Sequence, residues 1–192
     1  MEQAMLASKF NGRISVPSNL DFVTDISPDG EAVTIIFSNL VLSVEPLPPA
    51  IRTKTKVFTL HLPYSTDQGS VTMTMDLRGA ILAEAGRDVR LVACAGDTTK
   101  VVDLLAHADQ AVALRGPARD AMVATHPSVN WSDFHDRVAF TVQTRAAQPV
   151  CQITLFLVVE HNTDSTDAEG AVLVVDSLDL EIVMPDTGTF TL

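Results

Sequence analysis

Between Val71 and Arg78 apolar and polar residues alternate without a break. Val71, Met73, Met75 and Leu77 fall on one parity, and Thr72, Thr74, Asp76 and Arg78 on the other. A helix would scatter those apolar residues around its circumference, whereas a strand gathers them on one face, so the segment reads as a strand with one buried and one solvated side. Val138, Phe140 and Val142 stand against Thr141, Gln143 and Arg145 in the same way. The expected inward set is Val71, Met73, Met75, Leu77, Phe140 and Val142, and a one-residue slip would expose all of it. Ile153 to Val159 is apolar on both parities and Val172 to Val175 nearly so, which predicts strands covered on their second side as well.

Runs of Val, Ile, Thr and Phe bounded by turn formers extend this pattern over most of the chain. Strands are expected near 13–26, 32–44, 52–63, 70–83, 88–95, 98–106, 110–125, 137–146, 150–161 and 171–183. Ser27-Pro28-Asp29-Gly30 has the Pro and Gly of a type I turn, and Leu47-Pro48-Pro49 breaks any ladder between the second and third strands. The fold class that follows is all-β, an antiparallel barrel or barrel-like sandwich of eight to ten strands. The exception is the start. Glu2 to Phe10 is rich in helix formers and Asn11-Gly12 is a stop signal, so a short N-terminal helix is expected over 1–12, ahead of a β domain over 13–192.

Composition narrows the partners. With 192 residues, 46% apolar and 19% charged, one domain with a sufficient core is the natural count. The net charge of −11 opposes binding to nucleic acid or to an anionic membrane surface, because both need a Lys/Arg excess. No window carries the 18 uninterrupted apolar residues of a membrane helix, and the start lacks the pattern of an export signal, so a cytoplasmic protein, monomer or homodimer, is expected. Cys94 and Cys151 lie in separate strand candidates and are expected to be free thiols.

The five histidines show no HxH, HExxH or i,i+4 spacing and neither cysteine belongs to a CxxC pair, so no metal is expected. Glycines fall singly at turns, which gives a nucleotide cofactor no phosphate cradle; the expected cofactor set is empty. Trp131-Ser132-Asp133-Phe134-His135-Asp136 collects a hydroxyl, an imidazole and carboxylates, but without a nucleophile elbow it reads as a polar loop entering the next strand. What remains is a β scaffold with Met73, Met75, Phe140 and Phe156 on apolar positions and a helix able to close one end. A pocket for an apolar small molecule is written that way, and so is a core.

That layout, with Met1 to Phe10 in the position of a lid helix, resembles the small β-barrel [4+2] cyclases, or Diels-Alderases, of spirotetramate and spirotetronate antibiotic biosynthesis. The resemblance implies a cofactor-independent cyclase that folds a linear polyene tetramate or tetronate and closes it by an intramolecular cycloaddition. It implies a pocket lined by Met5, Phe10, Met73, Met75, Trp131, Phe140 and Phe156, with Gln152 or Thr154 hydrogen-bonded to the dienophile carbonyl. Such a step needs no proton transfer, and holding two reacting ends in near-attack geometry contributes up to ~7 to 11 kcal/mol. A second likeness runs through Ser27-Pro28-Asp29-Gly30-Glu31-Ala32-Val33-Thr34-Ile35-Ile36-Phe37, Met75-Asp76-Leu77-Arg78-Gly79 and Val175-Asp176-Ser177. In that order these segments are similar to an uncharacterised family of secreted bacterial β-rich proteins, which implies a non-catalytic secreted β-sandwich binding domain for a glycan or other small ligand. That family carries an export signal and paired cysteines, neither of which is expected here.

Overall fold

The computed structural model describes residues 8–16, 19–44, 53–66, 69–83, 87–104, 132–143, 150–161 and 171–183. Its strands are β1 (Lys9–Phe10), β2 (Phe22–Ile26), β3 (Ala32–Phe37), β4 (Val41–Val44), β5 (Thr53–Ser65), β6 (Ser70–Ala83), β7 (Arg87–Ala95), β8 (Thr98–Asp103), β9 (Ser132–Gln143), β10 (Val150–His161) and β11 (Ala171–Val183). Every pairing is antiparallel. Sheet I runs β1-β5-β10-β7-β8 and sheet II runs β2-β3-β11-β6-β9, with β4 also on β11.

The two sheets curl toward each other over one shared core, so the all-β, barrel-like expectation holds. Their margins meet on both sides. Thr98 Oγ1 of β8 donates to the Thr141 carbonyl of β9 at 3.4 Å, and the Phe10 amide of β1 donates to the Gly30 carbonyl at 2.7 Å. Phe37 of sheet II and Phe58 of sheet I pack edge to face with centroids 6.0 Å apart.

The inward set is the one alternation predicts: Val71 is 2% exposed, Met73, Met75 and Leu77 are 0%, Phe140 3% and Val142 8%. The described residues form eleven strands against the expected eight to ten, because the candidate at 32–44 divides in two and Lys9–Phe10 adds a strand that lies in no candidate. Over 32–44, β3 and β4 pair with successive stretches of the same edge of β11, and the chain breaks between them at 38–40, where Leu40 is drawn into the core. Over 13–26 the first half makes only an isolated bridge from Ser15 to His61. The candidate at 110–125 lies outside the described residues.

Two local devices shape sheet II. In the β2–β3 turn Gly30 takes φ +78°, its amide donates to the Ser27 carbonyl at 2.8 Å, and Asp29 Oδ1 accepts from Ser27 Oγ at 2.5 Å and from the Glu31 amide at 3.0 Å. Those donors, the Ser27 hydroxyl first, hold the Asp29 carboxyl below its ordinary pKa. The second device is a bulge in β11, where the register against β6 shifts between Val175 and Ser177. Gly79 stands opposite Val175. The segments that carry the second sequence likeness therefore lie on the neighbouring strands β3, β11 and β6.

The helix expected through Phe10 is corrected where the structure describes it. Lys9 and Phe10 are extended and pair with Ser65 and Tyr64. The Phe10 ring is 4% exposed within the core, and that burial with two-sided backbone bonding outweighs the weak helical preference of so short a segment. Residues 1–7, Met5 included, lie outside the described residues. The Ser132 to Asp136 cluster is likewise strand rather than loop: β9 already starts at Ser132, with Phe134 and Asp136 turned inward and His135 outward.

Candidate functional site

Alternation along β10 decides where the candidate side chains go. Ile153, Leu155, Leu157 and Val159 occupy the inner positions at 0–1% exposure, so Gln152, Thr154 and Phe156 take the outer face of sheet I. Met73, Met75 and Phe140 lie on the inner face of sheet II, Met73 directly opposite Phe140. Phe10 is also inside. The structure thus brings Gln152, Thr154 and Phe156 together on one surface, and Met73, Met75, Phe140 and Phe10 together in the core, with the inner layer of sheet I between the two groups. Met73 and Met75 at 0% exposure have no water-sized space against them. Trp131, like Met5, lies outside the described residues.

The outer face of sheet I is built in rows by the ladder register. Phe156 is opposite Val57 of β5 on one side and Val92 of β7 on the other, and Val92 is opposite Val101 of β8. Strands about 4.8 Å apart make this a continuous apolar row about 14 Å long. It stays open: Val57 is 51% and Val101 61% exposed, so the cover expected over Ile153 to Val159 is not met there. On the second side of β11 that expectation is met, since Val174 is 0% exposed.

Polar rows border the apolar one. Thr59 and Thr154 share a hydroxyl–hydroxyl bond of 3.0 Å, and Cys94 Sγ lies 3.6 Å from Thr99 Oγ1 in the same row. His61 is opposite Gln152 in the next. On the other flank come Thr55, Val158, Arg90 and Asp103, with Arg90 ion-paired to Glu160. Val57, Val92 and Val101 were not singled out in the sequence; each lies on a separate strand, and only the register aligns them with Phe156.

The outer face of sheet II is of a different kind. His135 Nε2 lies 3.1 Å from Asp76 Oδ1, Arg137 is 3.2 Å from both Glu181 Oε2 and Thr74 Oγ1, and Arg78 is 3.2 Å from Asp179 Oδ2. Thr34 Oγ1 donates to Asp179 Oδ1 at 2.6 Å. Cations and carboxylates there already satisfy one another, and this polar layer is why Thr74, on the outward parity, is only 8% exposed. Among the described residues no group of His, Cys, Asp and Glu is arranged to hold a metal ion. Beside β2 runs an open groove of about 450 Å³ lined by Arg13, Ile14, Leu20, Asp21, Phe22, Val23 and Thr24.

The two thiols are free, as expected. Cys151 sits on the inner parity of β10 and Cys94 on the outer parity of β7, so the sheet itself separates them. Burial pushes the Cys151 thiol up to about 11. No protein-family model matches the chain, and no curated protein is significantly similar to it.

Proposed function

We propose that the chain is a non-catalytic binding domain and that its ligand, a glycan, lies along the outer face of sheet I. The observation that carries this reading is the Val57–Phe156–Val92–Val101 row, open to solvent and bordered by the Thr59–Thr154 and His61–Gln152 rows. A pyranose ring has a C–H face and a rim of hydroxyls. Laid on the apolar row, it covers Phe156 and the valines with its C–H face and turns its hydroxyls to the threonines, Gln152 and His61. The same exchange of apolar cover and hydroxyl partners repeats for each sugar along a chain, so an oligosaccharide suits the row better than a single sugar. An open face with few charged partners gives weak affinity, about 4 to 8 kcal/mol, a Kd between millimolar and micromolar.

The test is an NMR titration of the full chain with a panel of oligosaccharides, alongside the Phe156→Ala and Thr154→Val variants. Shifts concentrated on β5, β10 and β7, weakened about tenfold or more by Phe156→Ala, support the reading. No shift from any glycan, or shifts confined to the β2 groove, overturns it. A linear polyene tetramate in the same panel tests the [4+2] cyclase reading, which stands second because its expected wall residues are divided between core and surface. Conversion to the cyclised product, read by mass spectrometry and chromatography, would put that reading first.

A further inference from the structure

A sheet edge is a row of unpaired backbone donors and acceptors, and folded proteins block edges that are not meant to pair. Here the blocks are visible. The β1 edge of sheet I is tied to sheet II by the bond from the Phe10 amide to Gly30, and β8 and β9 close against each other through Thr98 and Thr141. On β4 the outward carbonyls of Val41 and Ser43 accept from Lys56 Nζ at 3.2 Å and Lys54 Nζ at 2.8 Å. Two edges remain among the described residues: β5 over 53–59, a stretch that carries Lys54 and Lys56, and β2, which has no cation and pairs with β3 alone.

The Ser38 amide donates to the Asp21 carbonyl and the Ser27 amide to the Ala32 carbonyl. By antiparallel alternation Val23 and Asp25 then spend their backbone groups on β3, and those of Phe22, Thr24 and Ile26 face the open edge. Apolar exposure collects at the same place: Val23 is 64%, Ile36 39% and Ile26 37% exposed.

We propose that β2 pairs with β2 of a second copy of this chain, antiparallel about a two-fold axis through Thr24. The strand is self-complementary in that register. Thr24 meets the partner's Thr24, and Phe22 meets the partner's Ile26, so each residue whose backbone faces the edge gains a partner that also faces it, and each such pair exchanges both ladder bonds. Asp25 falls opposite the partner's Val23, with the partner's Asp25 on the diagonal, so the carboxylates repel only at the longer cross-strand distance. The Val23 side chains become diagonal neighbours across the axis, with Ile36 beside each. So short a ladder buries less than the roughly 800 Å² per partner of a standard interface, which makes the dimer weak and concentration-dependent. The inference does not rest on the glycan reading, because its readout is mass and amide protection rather than ligand binding.

The experiment is sedimentation velocity on the full chain from about 1 μM to about 1 mM, paired with amide hydrogen exchange at both ends of that range. The expected result is a monomer–dimer equilibrium, with exchange at Phe22, Thr24 and Ile26 slowed about tenfold or more at the high end. Thr24→Pro deletes only an outward N–H, a change an edge strand tolerates, and should give a monomer throughout with the Tm within a few degrees. A monomer at every concentration overturns the proposal. So does protection of those amides that is independent of concentration, the sign of a strand from the same chain, and so does a dimer that survives Thr24→Pro. If that variant fails to fold, the wild-type exchange data decide alone.

Discussion

The ring of Phe134 lies directly over Gly79, so close that a Cβ at position 79 would stand 2.8 Å from its Cζ. The two residues are cross-strand partners on β9 and β6, and Phe134 is 0% exposed. On another side the same Cβ would run into the Val174 carbonyl oxygen, next to the β11 bulge. The aromatic ring fills the space a side chain would take, while the bulge pushes backbone toward the bare Cα. Gly79→Ala therefore has to move backbone rather than a flexible side-chain end. The expected loss is ~2 to 4 kcal/mol, or a Tm lower by roughly 5 to 15 °C. Gly69→Ala, with nothing within 4 Å of its added Cβ, is the control and should change the Tm by no more than about 2 °C. Thermal unfolding followed by circular dichroism checks both, and equal shifts would contradict the packing argument.

Met75 and Phe156 separate stability from binding. Met75 is 0% exposed in the core, so Met75→Ala leaves a cavity and should cost ~2 to 5 kcal/mol. Phe156 is half-buried on the outer face of sheet I. Its truncation should cost no more than about half as much stability while lowering glycan affinity about tenfold. Denaturant unfolding gives the first quantity and titration the second. A Phe156→Ala variant that binds as the wild type does would remove Phe156 from the site.

The faces of the strands were legible because alternation is a local property. Val71 to Arg78 declares its buried side without reference to any other segment, and Ser27-Pro28-Asp29-Gly30 declares its turn. The apolar row was not legible. Val57, Phe156, Val92 and Val101 come from separate strands, and which residues line up across a sheet depends on register set by pairings up to about a hundred residues apart in sequence. Two misreadings have physical causes as well. The break between β3 and β4 carries two turn formers, Ser38 and Asn39, but neither Gly nor Pro, and apolar runs on both sides let it pass for continuous strand. The start of β9 was masked by Asp136, an acidic residue on an inward position, where a carboxylate reads as loop.

Alkaline pH should weaken the fold through Cys151 and Tyr64. Burial raises both groups, Cys151 to about 11, and the Cys151 charge adds to the rise at Tyr64. A raised folded-state pKa means the native state holds its proton more tightly than the unfolded chain does. The associated stability is fully present below about pH 9 and is lost as pH climbs through the folded value. For Cys151 the loss is on the order of 2 to 3 kcal/mol between about pH 9 and pH 11. Urea unfolding across that range should show it, and Cys151→Ala should flatten the pH dependence. In the native protein at neutral pH a thiol reagent should modify the half-buried Cys94 and reach Cys151 only after unfolding.

Lys54 and Lys56 should matter more for solubility than for stability. Their ammonium groups donate to the outward carbonyls of Ser43 and Val41, and partial burial holds the Lys56 pKa below its ordinary value. Lys54 is exposed, so each bond competes with water and contributes little net free energy. Their larger effect is to occupy the β4 edge with charge, which a second strand would have to displace before pairing there. Replacing both by Ala should lower the Tm by only a few degrees. It should also add a new association at the β4 edge, separable from any pairing through β2 because it persists in the Thr24→Pro background. Light scattering on Lys54→Ala/Lys56→Ala/Thr24→Pro against Thr24→Pro alone isolates the effect. Scattering that rises with concentration only in the former is the expected outcome, and identical curves would show that the two lysines do not protect the edge.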